Sequence, residues 1–246
     1  MAERLSGAII AAGRGERLRP ASGAIPKPLV ELNGEPLLMR QIRELREAGA
    51  SPIHAIVNSE THRLMLERRL ALAGDVDLTV RDTTSSMESL LTLGERIRPG
   101  RFVLTTVDAV LTTHEMARFV TNATKIATTP ESGLDGALGV VKWRGDSRPL
   151  FARVAADGVI AALGDRHAPM VTAGVYWFTS AIFDYAAEAR ARGLDALRRF
   201  LALLIEKSMK FAALELEQVI DVDEEADLAA ARAMLAREAQ ALTRSR

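Results

Sequence analysis

Apolar and polar positions alternate in blocks along the first half of the chain, and block length separates strands from helices. Ala8-Ile9-Ile10-Ala11 is a short continuous apolar run, the composition of a strand buried on both faces. Residues 35–48 place Leu38, Ile42 and Leu45 three to four apart, the stripe of an amphipathic helix that Pro36 can open and Gly49 can stop. Residues 53–57 read as a second strand, 61–73 as a helix ending at Gly74, 77–81 as a third strand, 87–97 as a helix and 102–107 as a fourth strand. Strands alternating with helices predict an α/β fold: a three-layer αβα sandwich, Rossmann-like, with a mainly parallel mixed sheet. Ligands of such sheets bind beyond the carboxyl ends of the strands.

The rhythm changes near residue 134. ALGVVKW, FARVAADGVIAAL and MVTAGVYWF read as strands separated by turns, and Asp157-Gly158 between two apolar runs predicts a β-hairpin. This region is expected to extend the sheet with antiparallel strands. Helices follow over 183–189 and 194–207, then a short strand over 219–222 and a terminal amphipathic helix from 224 to about 242. No linker separates two units. The expectation is a single domain over 1–246, with a parallel half over 1–133, an elaboration over 134–215, and a strand and helix over 216–246.

Composition narrows the classes. Hydrophobic residues make up 48 % of 246, enough for a sizeable core. Lysine plus arginine balances aspartate plus glutamate at 32 each, so no global positive field recruits nucleic acid, and an anionic ligand must be held by local cations. Cysteine is absent, which removes disulfides, thiolate metal sites and cysteine nucleophiles together. No leader of signal length and no membrane-spanning run is visible, so a cytoplasmic protein that does not engage membranes is expected. The four histidines are scattered and none is paired at metal spacing.

The stretch with most chemistry is GAIIAAGRGERLRPASGAIPKPL, from Gly7 to Leu29. A strand ends in a loop containing Ala11, Ala12, Gly13, Arg14 and Gly15. Arg17 follows closely, and Lys27 sits in a Pro-Lys-Pro corner. Glycines let backbone amides approach an anion, and consecutive amides form an anion-binding concavity. Arg17 offers a planar fork for two phosphate oxygens and Lys27 a compact charge. The dinucleotide fingerprint is ruled out because Leu18 stands where its third glycine is needed, and no Gly-Lys-Ser/Thr closes a P-loop.

AAGRGERL, PKPLVELNGEPLL and the following REAGA resemble the N-terminal signature of sugar-1-phosphate nucleotidyltransferases and their choline-phosphate cytidylyltransferase relatives. The ordered match spans the first fifty residues, with weaker echoes to about Leu235. The resemblance implies a magnesium-dependent nucleotidyltransferase. It would transfer a nucleoside monophosphate from a nucleoside triphosphate to a phosphorylated small molecule, a sugar 1-phosphate or a phospho-alcohol such as phosphocholine. It further implies a glycine loop around the triphosphate, Arg17 and Lys27 as catalytic phosphate-holding cations, Mg2+ as cofactor and often a homodimer. A molybdopterin- or isoprenoid-type nucleotidyltransferase shares the loop logic. A regulatory module that binds nucleotide without turning it over is the rival from another class.

The acidic candidates have two readings each. Asp108 closes the apolar run RFVLTTVDAVL and either caps the helix beginning near Thr112 or faces a cation; the resemblance implies the second. Asp221 and Asp223 precede the last helix, where acidic residues suit the helix dipole, yet strand alternation also puts both on one side. IDVDEEADL is similar to the family's IDVDTPEDL, whose first aspartate completes the Mg2+ site, and Glu-Glu replaces Thr-Pro here. In RDTTSSMESL, Thr84, Ser85 and Ser86 either cap a helix or hydrogen-bond a base, and the pattern is similar to that of the cytidylyltransferases. Lys142 and Gly174 lie in the part that lines the acceptor pocket in the family, and Lys142 alone reads equally as a solvated lysine. The Glu-Lys-Pro motif of many sugar nucleotidyltransferases is missing; Gly164-Asp165-Arg166 stands near its place. Trp143, Tyr176 and Trp177 are scarce aromatics that either pack in the core or face a quaternary ammonium or sugar ring.

Overall fold

The computed structural model describes residues 4–13, 18, 25–97, 100–129, 132–145 and 149–244. The parallel half of the sheet is built from the apolar runs. Strands β1 (Leu5–Ala11), β4 (Ile53–Val57), β5 (Val76–Val80) and β6 (Arg101–Thr106) lie in the order β6-β1-β4-β5, all parallel. The short β2 (Glu31–Leu32) and β3 (Glu35–Pro36) form a hairpin between the first two. Beyond β6 the direction reverses. Strand β11 (Met170–Thr179) pairs antiparallel with β6, with β8 (Gly136–Lys142) and with β9 (Phe151–Val154). Strand β9 forms the expected hairpin with β10 (Ile160–Leu163), with Gly158 at φ +81° in its turn. Strand β12 (Phe211–Glu215) joins β8 in parallel. A separate two-stranded ribbon pairs β7 (Ala109–Val110) with β13 (Ile220–Asp221).

Helices α1 (Leu37–Glu47), α2 (Ser59–Glu67), α3 (Ser86–Ile97), α4 (Thr113–Ala127), α5 (Ala186–Ala191), α6 (Leu197–Glu206) and α7 (Glu225–Arg244) cover the sheet. One apolar cluster joins α1, α4 and α7 to one face. The other joins α3, α5 and α6 to the opposite face, so the sheet is buried on both sides as the continuous apolar strands require. No described helix is long and apolar enough to cross a membrane. The expected helix over 61–73 is shorter at its end and starts two residues earlier. Asn58 caps it by accepting from the amide of Thr61, and Arg69 at φ +54° turns the chain away five residues before Gly74 can. The helix expected over 183–189 divides into a 3₁₀ segment, Ser180–Tyr185, and α5.

Helix α1 contains a buried ion pair, Arg40–Glu44, and Arg40 also donates to the carbonyl of Leu111 at 2.9 Å. Burial pushes the Glu44 carboxyl from 4.5 up to about 7, against the pull of Arg40 and Arg43. Below pH 4.5 it is protonated folded or unfolded, and above 7 it is ionised in both states. Between these values the folded chain holds the extra proton, so this group makes stability fall as pH rises. The expected result is a melting-temperature difference between wild type and Glu44→Gln that changes across pH 4.5–7 and is flat above it. A constant difference across that window, read by calorimetry, would contradict the assignment.

Candidate active site

The parallel strands deliver their ends to one edge, and the chemistry gathers there. Pro26 and Pro28 restrict the backbone around Lys27, which sits in a single 3₁₀ turn, Lys27–Leu29, and is only 7 % exposed. Its ammonium lies 3.0 Å from Asp108 Oδ2 and 2.7 Å from Asp223 Oδ1. Burial opposes its charge, but these two carboxylates outweigh burial and hold it above the ordinary lysine range.

Asp108 lies in the two-residue turn between β6 and β7. It does not cap α4: Thr112 does so, accepting from the amide of Glu115 at 3.2 Å. The ribbon then brings the second acidic segment across. The amide of Val222 donates to the carbonyl of Asp108 at 3.0 Å, and Asp221 pairs with Ala109. Asp227 accepts from the amides of Asp223 and Glu224 at 2.9 and 2.8 Å, so this first-turn aspartate of α7 fixes the turn that carries Asp223. Ligand oxygens of Asp108, Asp221 and Asp223 all lie within 4.8 Å of one another. Three hard oxygen donors converging on one point, two of them already compensating a positive charge, fit Mg2+ in chemistry and in charge.

Beside this cluster opens a cavity of about 550 Å³. Asp108, Asp221 and Asp223 line it, together with Thr106, Thr172 and Gly174. Gly174 is required by a close approach: at φ +70°, a Cβ there would lie 2.7 Å from Ala109 Cβ and from Thr106 Oγ1. It breaks the β8–β11 register and lets β11 lie against the Asp108 turn. Among the described lining residues Arg144 and Arg198 are the cationic ones. Lys142 is placed elsewhere. It is the last residue of β8, largely exposed and 3.6 Å from Glu215.

The remaining expectations divide. Ala11 and Ala12 are buried at the end of β1 and Gly13 begins the turn. Asn58 donates to the carbonyls of Ala12 and Gly13 at 3.2 and 3.4 Å, pinning the start of the loop from α2. Arg14, Gly15 and Arg17 lie outside the described residues. Ser85 accepts from the amide of Glu88 at 3.1 Å, a helix-capping contact, and Thr84 is exposed just before it. Ser86 lines the cavity while its hydroxyl accepts from the amide of Leu197 at 2.9 Å, joining α3 to α6. Trp177 is buried in the core, its indole donating to Thr124 at 3.1 Å. Tyr176 lines the cavity, and burial pushes its phenol up to about 12, so it keeps its proton. Trp143 packs edge-on against Phe151, 5.4 Å between ring centres. Three contributors escaped the sequence reading: Asn58, Arg144 and Arg198. Asn58 alone left a signal, as an N-cap residue directly after a strand.

The strand ends of an α/β sheet thus present a buried lysine and three carboxylates beside a polar cavity. The chain belongs to the MobA-like NTP transferase domain family, whose model matches residues 7–180. Among characterised proteins it is similar to mannose-1-phosphate guanyltransferase 2 of Candida glabrata, 44 % identical over 54 residues, which is 22 % of this chain and 15 % of that one. It is also similar to the probable mannose-1-phosphate guanylyltransferase 2 of Arabidopsis thaliana, 32 % identical over 72 residues, 29 % of this chain and 19 % of that one. The matched segment thus spans less than a fifth of these relatives. Two solved structures share the fold. The inositol-1-phosphate CTP transferase from T. maritima has a TM-score of 0.77 at 17 % identity, covering 95 % of this chain and 97 % of that one. A putative glucose-1-phosphate thymidylyltransferase from Bacillus anthracis has a TM-score of 0.78 at 16 % identity, covering 94 % and 95 %.

Proposed function

We propose that the protein transfers a nucleoside monophosphate from a nucleoside triphosphate to a phosphorylated sugar or polyol, releasing pyrophosphate. The observation that carries this reading is the cluster of Asp108, Asp221 and Asp223 lining a 550 Å³ cavity at the sheet's carboxyl edge, with Lys27 ion-paired to two of them. An oxygen of the acceptor phosphate attacks the α-phosphorus, and the bond from that phosphorus to the pyrophosphate oxygen breaks. The acceptor is already an anion, so no strong general base is needed; the task is to bring two anions together. Lys27, held against Asp108 and Asp223 beside the cavity, is assigned the neutralisation of phosphate charge. The glycine turn after β1 and Arg17 are assigned the triphosphate by their resemblance to the family signature. Mg2+ held by Asp108 and Asp221, with Asp223 beside them, would supply Lewis-acid neutralisation of phosphate charge.

Arg198 stands in the first turn of α6, where the positive end of the helix adds to its charge, and Arg144, two residues beyond the end of β8, lines the same cavity. These suit a phosphate group, and the hydroxyls of Thr106 and Thr172 suit hydroxyls on the acceptor. A quaternary ammonium would call for an aromatic cage. Among the described lining residues Tyr176 is the one aromatic. A phosphorylated polyol or sugar therefore fits better than phosphocholine.

Pyrophosphate release with Mg2+, crossing four nucleoside triphosphates with inositol phosphate, glycerol phosphate, hexose 1-phosphates and phosphocholine, tests this directly. Release with one triphosphate and a hydroxyl-rich phosphate is expected; preference for phosphocholine would overturn the acceptor, and binding without release would favour a regulatory module. Arg198→Ala should raise the acceptor KM roughly 10–100-fold, the equivalent of losing one charged hydrogen bond of about 1.5–3 kcal/mol, with the triphosphate KM little changed. An unchanged acceptor KM would remove Arg198 from the site.

A further inference from the structure

We infer that Gln41 is a positioning residue for the carboxylate cluster: its buried amide sets the place of the peptide that carries Asp108. The inference rests on the metal-site reading proposed above. Gln41 interrupts the apolar stripe of α1, three residues from Leu38 and four from Leu45, and is fully buried. A primary amide in such a place is costly unless its hydrogen bonds are made. Both ends of this one are spent on the same short segment. Its Nε2 donates to the carbonyl of Ala109 at 2.6 Å, and its Oε1 accepts from the hydroxyl of Thr105 at 3.2 Å. Asp108 lies between those two residues.

The neighbouring contacts make the same segment rigid. Arg40, one residue earlier on α1, donates to the carbonyl of Leu111. The carbonyl of Asp108 is bonded to Val222, and Ala109 faces Asp221 in the β7–β13 ribbon. The peptide that Gln41 holds therefore also anchors the strand carrying Asp221. At its other end α1 is tied to the Lys27 turn, because the amide of Leu37 donates to the carbonyl of Val30 at 2.9 Å. Helix α1 is thus a common frame for the lysine and the carboxylates. A leucine would fill the same volume and pack well, but it has no directional bond with which to fix a carbonyl. Supporting groups of this kind typically alter metal affinity or activity by about 10–100-fold when removed.

The test is a titration of Mn2+ against the full-length protein, read by the electron paramagnetic resonance signal of unbound Mn2+. Melting temperature and kcat are measured on the same samples. Gln41→Leu is expected to fold with a melting temperature near that of wild type, yet to bind Mn2+ about tenfold more weakly and to lose kcat at saturating metal. Thr105→Val should shift both in the same direction and Thr105→Ser should restore them, because serine keeps the hydroxyl that orients the amide. This pair keeps the inference testable if Gln41→Leu does not fold. If Gln41→Leu and Thr105→Val bind Mn2+ as tightly as wild type while Asp108→Asn does not, the positioning role is wrong and the metal site stands. If Asp108→Asn binds as well as wild type, the metal site fails and the inference with it.

Discussion

Lys27→Ala is expected to lower kcat by roughly 10²–10³, the usual size of losing one preorganised charge at a phosphate or oxyanion. It is also expected to bind Mn2+ more tightly than wild type in the absence of nucleotide. The two effects have opposite signs for one structural reason. The ammonium occupies the oxygens of Asp108 and Asp223 at 3.0 and 2.7 Å, so a divalent cation must compete with it for them. Removing the lysine leaves the carboxylates as like charges in close proximity, which raises their attraction for any cation. When a triphosphate arrives, the same ammonium is lost as a partner for its oxygens. Lys27→Arg should not restore the rate. A planar fork that prefers bidentate contacts replaces a point charge in a nearly closed site. Turnover and Mn2+ affinity measured side by side decide the matter: near wild-type turnover in Lys27→Ala would end the catalytic assignment. Weaker Mn2+ binding would mean that the lysine supports the metal rather than competing with it.

Asp108→Asn carries the second large effect. The substitution keeps size and hydrogen-bonding capacity, and the backbone bond from Val222 to residue 108 is untouched, so the fold should persist. What is lost is one negative charge of three. A ligated metal supplies several kcal/mol of charge stabilisation, and losing about 3–4 kcal/mol corresponds to roughly 10²–10³ in rate. Mn2+ binding should fall with it. The neighbouring aspartates should separate by role. Asp221→Asn is expected to follow Asp108→Asn in weakening Mn2+. Asp223→Asn is expected mainly to loosen Lys27, since Asp223 makes its shorter contact with the ammonium. Equal losses of metal affinity at all three positions would show that the ligands act as one set. Retention of Mn2+ binding and turnover in Asp108→Asn would remove the metal from the mechanism.

Much of this was readable along the chain because it depends on local patterns. The apolar runs at 8–11, 53–57 and 102–107 could only be buried strands, and the three-to-four spacing of α1 could only be a helix with one apolar face. A sheet of that kind opens its ligand edge beyond the strand ends, so Asp108 and the glycine turn were brought to one edge by topology alone. The choice between capping and chemistry was not readable. Asp108 and Thr112 are both good N-cap residues, and only the folded chain shows the amide of Glu115 taken by Thr112. Which basic residue near the end of β8 lines the cavity was not readable for a different reason. Lys142 and Arg144 are two residues apart, and strand alternation would treat them alike, but β8 ends at Lys142 and Gly145 at φ +107° turns the chain.

The sequence by itself determined the α/β class, the hairpin at Asp157-Gly158, the lysine corner and the two acidic segments, because propensity, periodicity and turn chemistry act over a few residues. Tertiary structure alone decided that Lys27 meets Asp108 and Asp223 across 81 and 196 residues of chain, that Gln41 holds the Ala109 peptide, and that Arg198 and Arg144 line one cavity. Those contacts arise from packing helices onto a sheet whose order differs from chain order. No local pattern encodes the position at which two remote side chains come within a hydrogen bond of each other.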